Sequence, residues 1–147
     1  GTLGGCVRKL SEVGASTQTI GVDAEGSVLF GGERGTRMLP GYGAGIVTDL
    51  STQFSPSSVE RVPDLEAIVA ARRLARAEGL LPGASGGAVI AAFQRLATSL
   101  PAGAEVVAVL HDAGQPYLDT IYNDSWVCEN FGISPAELAA RSEGTAQ

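Results

Sequence analysis

Two short segments place small residues directly before helix-forming sequence: Gly1-Thr2-Leu3-Gly4-Gly5 and Gly83-Ala84-Ser85-Gly86-Gly87. A helix N-terminus presents unpaired N–H groups and the positive end of the helix dipole, so either segment can hold an anion or a cofactor. The same pattern is also ordinary helix punctuation. Covalent chemistry through an amine needs a lysine, and Lys9 is the only one in the chain. It lies in a helical segment and reads there as an exposed surface charge. Cys6, Cys128 and the single histidine, His111, cannot by themselves supply a usual zinc set. No metal site is expected. The two cysteines read as buried thiols of a cytoplasmic protein rather than as a disulfide framework.

The elements that must position these groups alternate between strand and helix. Residues 6–13 read as a short helix, with Leu3, Cys6, Val7, Leu10 and Val13 on one face and Gly14 as its stop. Residues 19–24 read as a buried parallel strand, apolar and β-branched without polar alternation. A loop-rich stretch follows, containing Gly31-Gly32 and Gly41-Tyr42-Gly43-Ala44-Gly45. Residues 59–62 are a short strand. Asp64 is placed to cap a helix over 65–78 that Gly79 closes. Its apolar stripe is Leu65, Ile68, Val69 and Leu74, and Arg72, Arg73 and Arg76 form its solvated edge. A second helix is expected over 88–99 and a fully apolar strand over 105–110. Short helical pieces are expected within 117–131. Ser134-Pro135-Ala136-Glu137 has the form of a capping box opening a last helix to about residue 141. The alternation argues an α/β parallel sheet, which binds ligands beyond the carboxyl ends of its strands.

Composition narrows the function classes. The chain has 147 residues, 20 of them Gly, with 10 basic and 16 acidic residues and a net charge of −6. That balance opposes a sequence-independent nucleic-acid surface, which needs clustered positive charge. No apolar run approaches the ~18–20 residues that span a bilayer. A hydrophobic content of 44% excludes a disordered chain.

Taken together and in order, the motifs are more specific than their parts. Gly1-Thr2-Leu3-Gly4-Gly5-Cys6-Val7-Arg8-Lys9-Leu10 resembles the end of the phosphate-binding loop of fold-type II pyridoxal-phosphate enzymes, the cysteine synthase group. Val22-Asp23-Ala24-Glu25-Gly26-Ser27-Val28-Leu29-Phe30-Gly31-Gly32 resembles the segment that follows in those enzymes. Leu39-Pro40-Gly41-Tyr42-Gly43-Ala44-Gly45 resembles their Gly-x-Gly-Ala loop near the substrate. Glu78-Gly79-Leu80-Leu81-Pro82-Gly83-Ala84-Ser85-Gly86-Gly87-Ala88 and Asp112-Ala113-Gly114-Gln115-Pro116-Tyr117-Leu118-Asp119-Thr120 are similar to their two C-terminal signatures. The resemblance runs to about Gly132. Departures are Gly86, where Ser or Ala is more usual, and Ala113, at a commonly basic position.

The resemblance implies a three-layer α/β parallel-sheet domain, tryptophan synthase β-like, with pyridoxal 5'-phosphate as cofactor and small amino acids as substrates. It implies that Gly1 and Thr2 hold the cofactor phosphate and that the Ser85 hydroxyl meets the pyridine nitrogen. Ser85 acting only as a helix cap is the plainer alternative. Gly41 and Gly43 would let the chain approach the substrate; without the resemblance they are turn glycines. Asp112 and Gly114 end a strand on the ligand side, as cap, turn or contact, and His111 reads as a packed strand-end residue. Lys9 stands where the family carries ordinary basic residues. The Schiff-base lysine is therefore expected upstream, this chain being the C-terminal part of the enzyme, inactive alone and completed by its N-terminal part in a homodimer. The wording from Asp23 to Gly32 resembles a branch that joins O-phospho-L-serine to glutamate, toward 2,3-diaminopropionate in siderophore and antibiotic routes. Cysteine synthesis with sulfide is the close alternative. A non-catalytic binding or assembly domain that lost its lysine is the alternative of another class.

Overall fold

Two short segments with Val or Ile and no proline form the sheet. Ile20–Ala24 (β1) and Ser58–Val62 (β2) pair in parallel, from Ile20 opposite Ser58 to Ala24 opposite Val62. The computed structural model describes residues 1–144 of the chain. Burial is concentrated at the carboxyl ends of the strands: Ala24 and Val62 are fully buried, whereas Ile20 is 37% exposed.

Among the described residues five α-helices accompany this pair: α1 (Thr2–Glu12), α2 (Asp64–Glu78), α3 (Ala84–Leu96), α4 (Asp124–Phe131) and α5 (Pro135–Glu143). α3 packs on both strands, α2 lies along α3, and α5 touches α2 and α4. The α2–α3 contact is made of small side chains, Ala67, Ala70 and Ala71 against Ala84, Gly87, Ala88 and Ala91. A Cβ on Gly87 would overlap the Ala67 carbonyl oxygen. Helices with such faces approach closely, which is how a core can be built with few aromatics.

The alternating α/β order and the parallel pairing are as the sequence predicts, but several details differ. The expected strand over 105–110 forms no ladder, and Val106, Val107 and Val109 are 48%, 89% and 46% exposed. An apolar run marks a demand for burial; a strand also needs a neighbouring backbone to accept its hydrogen bonds. Among the described residues the sheet is therefore two-stranded, one strand fewer than the sequence pattern predicts. His111 is accordingly exposed rather than packed. α1 begins at Thr2, so the first glycine-rich segment is itself helical, yet none of the helix's residues is buried. Its apolar face is only partly used, through Leu3 beside Gly21 of β1.

The buried residues of α2 are Ala67, Ile68, Ala70 and Ala71; of the expected stripe Ile68 is fully buried, and three alanines take the place of the other aliphatics. Arg72 and Arg73 are half-buried rather than a solvated edge, whereas Arg76 is exposed as expected. Arg72 donates to the Ile121 carbonyl (2.7 Å) and pairs with Asp124, Arg73 donates to the Arg141 carbonyl, and Arg76 pairs with Glu143. Together they tie α2 to the C-terminal helices. The residues over 117–131 form short helical pieces, and the Ser134 hydroxyl accepts the Glu137 N–H as a cap. The Glu137 carboxylate turns to Arg141 instead of completing the box. Cys6 is exposed and Cys128 half-buried, both as free thiols, which corrects the expectation of two buried ones.

Candidate functional site

The chain after β1 and β2 converges on the N-terminus of α3. That helix starts at Ala84 with Gly83 as its N-cap, four residues earlier than the sequence pattern suggests. Ser85 therefore lies in the first turn, its side chain makes no capping bond, and the residue is 5% exposed. A buried hydroxyl needs a partner. Its nearest is the carboxylate of Asp112, with Oγ donating to Oδ1 at 3.5 Å.

Three separate segments meet here. Gly41 adopts φ +91°, and a Cβ at that position would stand 3.2 Å from Ser85 Cβ and 3.3 Å from its Oγ. Only glycine gives both this backbone conformation and this approach at low cost. Gly43 lies against Ser27, Ala24 and Asp23 at the carboxyl end of β1. The third segment is 112–117. Its Asp112 carbonyl accepts the Gly83 N–H at 2.9 Å, the Gly114 N–H donates to the Leu81 carbonyl at 2.7 Å, and Pro82 bridges Ala113. A Cβ on Gly83 would overlap the Asp112 carboxylate, so the missing side chain makes room for it.

The glycine loop is held from both strand ends. Buried Ser27 accepts the Ala44 and Leu29 N–H groups at 3.0 and 3.3 Å and donates to the Ala44 carbonyl. On the other side Asp64 accepts the Met38 N–H at 2.6 Å and the Tyr42 hydroxyl at 2.9 Å. Burial, reinforced by the Asp64 charge, pushes the Tyr42 hydroxyl far above its ordinary pKa, so it remains a donor. Asp64 was expected to cap α2, but Pro63 is the N-cap and no side-chain cap forms. The carboxylate instead clamps the loop between Met38 and Tyr42. Nothing in the local sequence distinguishes the two roles, because a helix-opening Asp suits either.

Asp23 is fully buried, with Oδ1 accepting the Ala24 N–H at 3.1 Å and Oδ2 without a hydrogen-bond partner. Arg61 stands directly across the ladder and leaves its Nε similarly unpaired, while its Nη2 donates to the Phe30 carbonyl. Tyr117 donates its hydroxyl to Asp112 Oδ2 at 2.7 Å, and this bond raises its pKa, with burial adding to the effect.

Gly1 and Thr2 form the exposed N-terminus of α1 and are not joined to Ser85 by any hydrogen bond among the described residues. Ser85 and Gly41 are brought into contact, and Gly43 is one residue beyond the clamped Tyr42. Lys9 is an exposed helical residue pairing with Glu12 at 3.4 Å. A groove of about 600 Å³ lies toward the other end of α3, lined by residues such as Leu65, Val69, Arg73 and Arg95, and does not include Ser85.

Ser85 offers a buried hydroxyl in the first turn of α3 with Gly41 close by, and the start of α1 separately carries free N–H groups. A family model described as "Pyridoxal-phosphate dependent enzyme" matches residues 1–112. The crystal structure of the O-acetylserine dependent cystathionine beta-synthase from Helicobacter pylori is similar to this chain at a TM-score of 0.74 and 34% identity. That match covers 83% of this chain, which spans 40% of the Helicobacter chain.

Proposed function

The chain belongs to the pyridoxal-phosphate dependent enzyme family, and from that premise we propose that it is the C-terminal part of a β-replacement synthase. The substrate is O-phospho-L-serine and the nucleophile is the amine of L-glutamate. The Cβ–O bond breaks, phosphate leaves, and a Cβ–N bond forms to give N-(2-amino-2-carboxyethyl)-L-glutamate. Bound pyridoxal phosphate supplies the electron sink for this replacement. The observation that carries the reading is the meeting of Gly41 with buried Ser85 beyond the carboxyl ends of two parallel strands.

In this reading Ser85 faces the ring nitrogen, Gly1 and Thr2 hold the phosphate at the start of α1, and Gly41 and Gly43 border the substrate. The Schiff-base lysine belongs to a part of the enzyme outside this chain, so the 147 residues alone are inactive and require that part, in a homodimer. The specific acceptor rests on the resemblance of Asp23 to Gly32. A second reading, a sulfur nucleophile, is favoured by the similarity to the O-acetylserine dependent cystathionine beta-synthase from Helicobacter pylori.

The deciding experiment supplies the full-length enzyme with O-phosphoserine and either glutamate or sulfide, with products identified by mass spectrometry. Glutamate consumption with release of phosphate is expected. Cysteine formation with sulfide, and no reaction with glutamate, would reject the amine acceptor. Failure of the full-length chain to form a borohydride-reducible cofactor adduct would reject the enzyme reading altogether.

A further inference from the structure

We propose that Asp64 and Tyr42 are positioning residues for the substrate, their hydrogen bond setting where Gly41 stands beside the first turn of α3. The inference rests on the reading above in which Gly41 and Gly43 border the substrate. It gives Asp64 and Tyr42 no contact with the cofactor.

Gly41 has little of its own to hold it. It is exposed, has a φ of +91° and makes no backbone hydrogen bond among the described residues. A glycine so placed samples a wide range of conformations unless its neighbours are fixed. They are fixed on both sides. The Met38 N–H donates to Asp64 Oδ2 at 2.6 Å, and the Tyr42 hydroxyl donates to Oδ1 of the same carboxylate at 2.9 Å. Tyr42 is buried, so its ring is packed as well as bonded. Farther on, the Ala44 N–H donates to Ser27 Oγ at 3.0 Å and the Ala44 carbonyl accepts the Val28 N–H at 2.9 Å. Gly41 thus lies between the two ends of one clamp, and Gly43 between that clamp and Ser27.

Asp64 has a rigid base for this task. It follows β2 by two residues and opens α2, yet its side chain makes no capping bond to the helix. The carboxylate is therefore given over to the loop, closing residues 38–42 into a ring. Hydrogen bonds to an ionised acceptor are among the stronger ones. A loop ordered before the substrate arrives removes that entropy loss from the binding step. Loss of the clamp then weakens substrate binding, while the cofactor, held by other residues, stays in place.

The test uses the full-length holoenzyme as wild type, Asp64→Ala, Asp64→Asn, Tyr42→Phe and the double variant Asp64→Ala/Tyr42→Phe. Steady-state kinetics are measured with O-phosphoserine and with O-acetylserine, using the nucleophile that wild type accepts. Cofactor stoichiometry, thermal melting and amide hydrogen exchange accompany each variant. Asp64→Ala is expected to raise the KM for the donor amino acid about tenfold, and Tyr42→Phe about threefold, each with kcat little changed. An asparagine can accept the Met38 N–H through its oxygen and donate its amide to the Tyr42 oxygen, so Asp64→Asn should recover most of the loss. The double variant should be no worse than Asp64→Ala, because the bond the two residues share is already gone. Exchange over residues 38–45 should quicken in Asp64→Ala while that over 84–88 is unchanged. A KM within about twofold of wild type in both Asp64→Ala and Tyr42→Phe overturns the proposal. So does a rise in KM matched by loss of cofactor, since the two residues would then support the whole site. A wild type that turns over neither donor removes the reading of the site, and the inference with it. Should Asp64→Ala fail to fold, Tyr42→Phe decides.

Discussion

Ser85 occupies a position from which water is largely excluded, with Gly41 so near that a Cβ there would crowd it and with one long hydrogen bond to Asp112. In the complete enzyme proposed above, Ser85→Ala is expected to retain the cofactor and lose a hydrogen bond to the ring nitrogen, about 0.5–1.5 kcal/mol, roughly a 2–10-fold fall in elimination rate. Stopped-flow elimination of O-phosphoserine, with cofactor absorbance as the occupancy control, measures it; unchanged kinetics would remove Ser85 from the site. Gly41→Ala introduces a Cβ 3.2 Å from Ser85 on a backbone at φ +91°. The left-handed conformation alone costs about 1–2 kcal/mol, read as a lowered melting temperature together with weaker substrate binding. At this scale the order of the motifs singles out Ser85, Gly41 and Gly43, and the fold brings Gly41 close to Ser85. The clamp by Asp64 was not legible, because its partners Met38 and Tyr42 are far away in the chain and the same residue type opens helices.

Helix existence follows from periodicity, but the contacts between helices depend on long side chains whose partners are distant in sequence. Arg72 shows the difference. On a helical wheel it belongs to a polar edge, yet its side chain is 13% exposed and donates to the Ile121 carbonyl and to Asp124. Arg72→Ala is expected to destabilise the fold by about 2 kcal/mol, since it strands a carbonyl and removes a charged donor. Arg72→Lys should recover only part of this, because one ammonium cannot reproduce two guanidinium bonds at fixed geometry. Urea unfolding of the two variants separates these outcomes. Tyr122 ties the same region to the turn before α3 by donating to the Pro82 carbonyl at 2.6 Å. Burial pushes its pKa up to about 12, with Arg72 opposing and the Asp112 charge adding to the rise. Below the unfolded value of 10.0 the hydroxyl is neutral in both states, so its stabilising contribution is fully present. Between about 10 and 12 the unfolded chain ionises first and stability falls. Tyr122→Phe is therefore expected to flatten part of the alkaline loss, as seen in melting temperatures across that interval. An equal alkaline slope in both proteins would exclude Tyr122 as a contributor.

The whole molecule combines a well-packed helical layer with apolar surface that its own residues do not cover. α2 and α3 bury alanines against each other, and the strand ends are closed by Ala24 and Val62. Against this, Val107 is 89% exposed, and none of α1 is buried. The α/β order was legible because each element carries its own period and stops, and the parallel pairing followed from that alternation. Sheet width was not legible, because residues 105–110 announce an apolar strand whatever lies beside them. Full burial of one Val is worth roughly 1.5–3 kcal/mol, so a run with three exposed valines strongly favours any neighbour that covers it. An uncovered backbone of this composition also templates pairing with other chains. The 147-residue chain alone is therefore expected to self-associate despite its net charge of −6. Sedimentation velocity over a concentration series should show it, and Val107→Lys should shift the distribution toward monomer. In the full-length enzyme proposed above, amide exchange across 105–110 is expected to slow markedly relative to the chain alone. A chain that stays monodisperse and monomeric at high concentration, with equal exchange in both contexts, would mean that this surface is open in the working enzyme and that its strand-like composition serves no sheet.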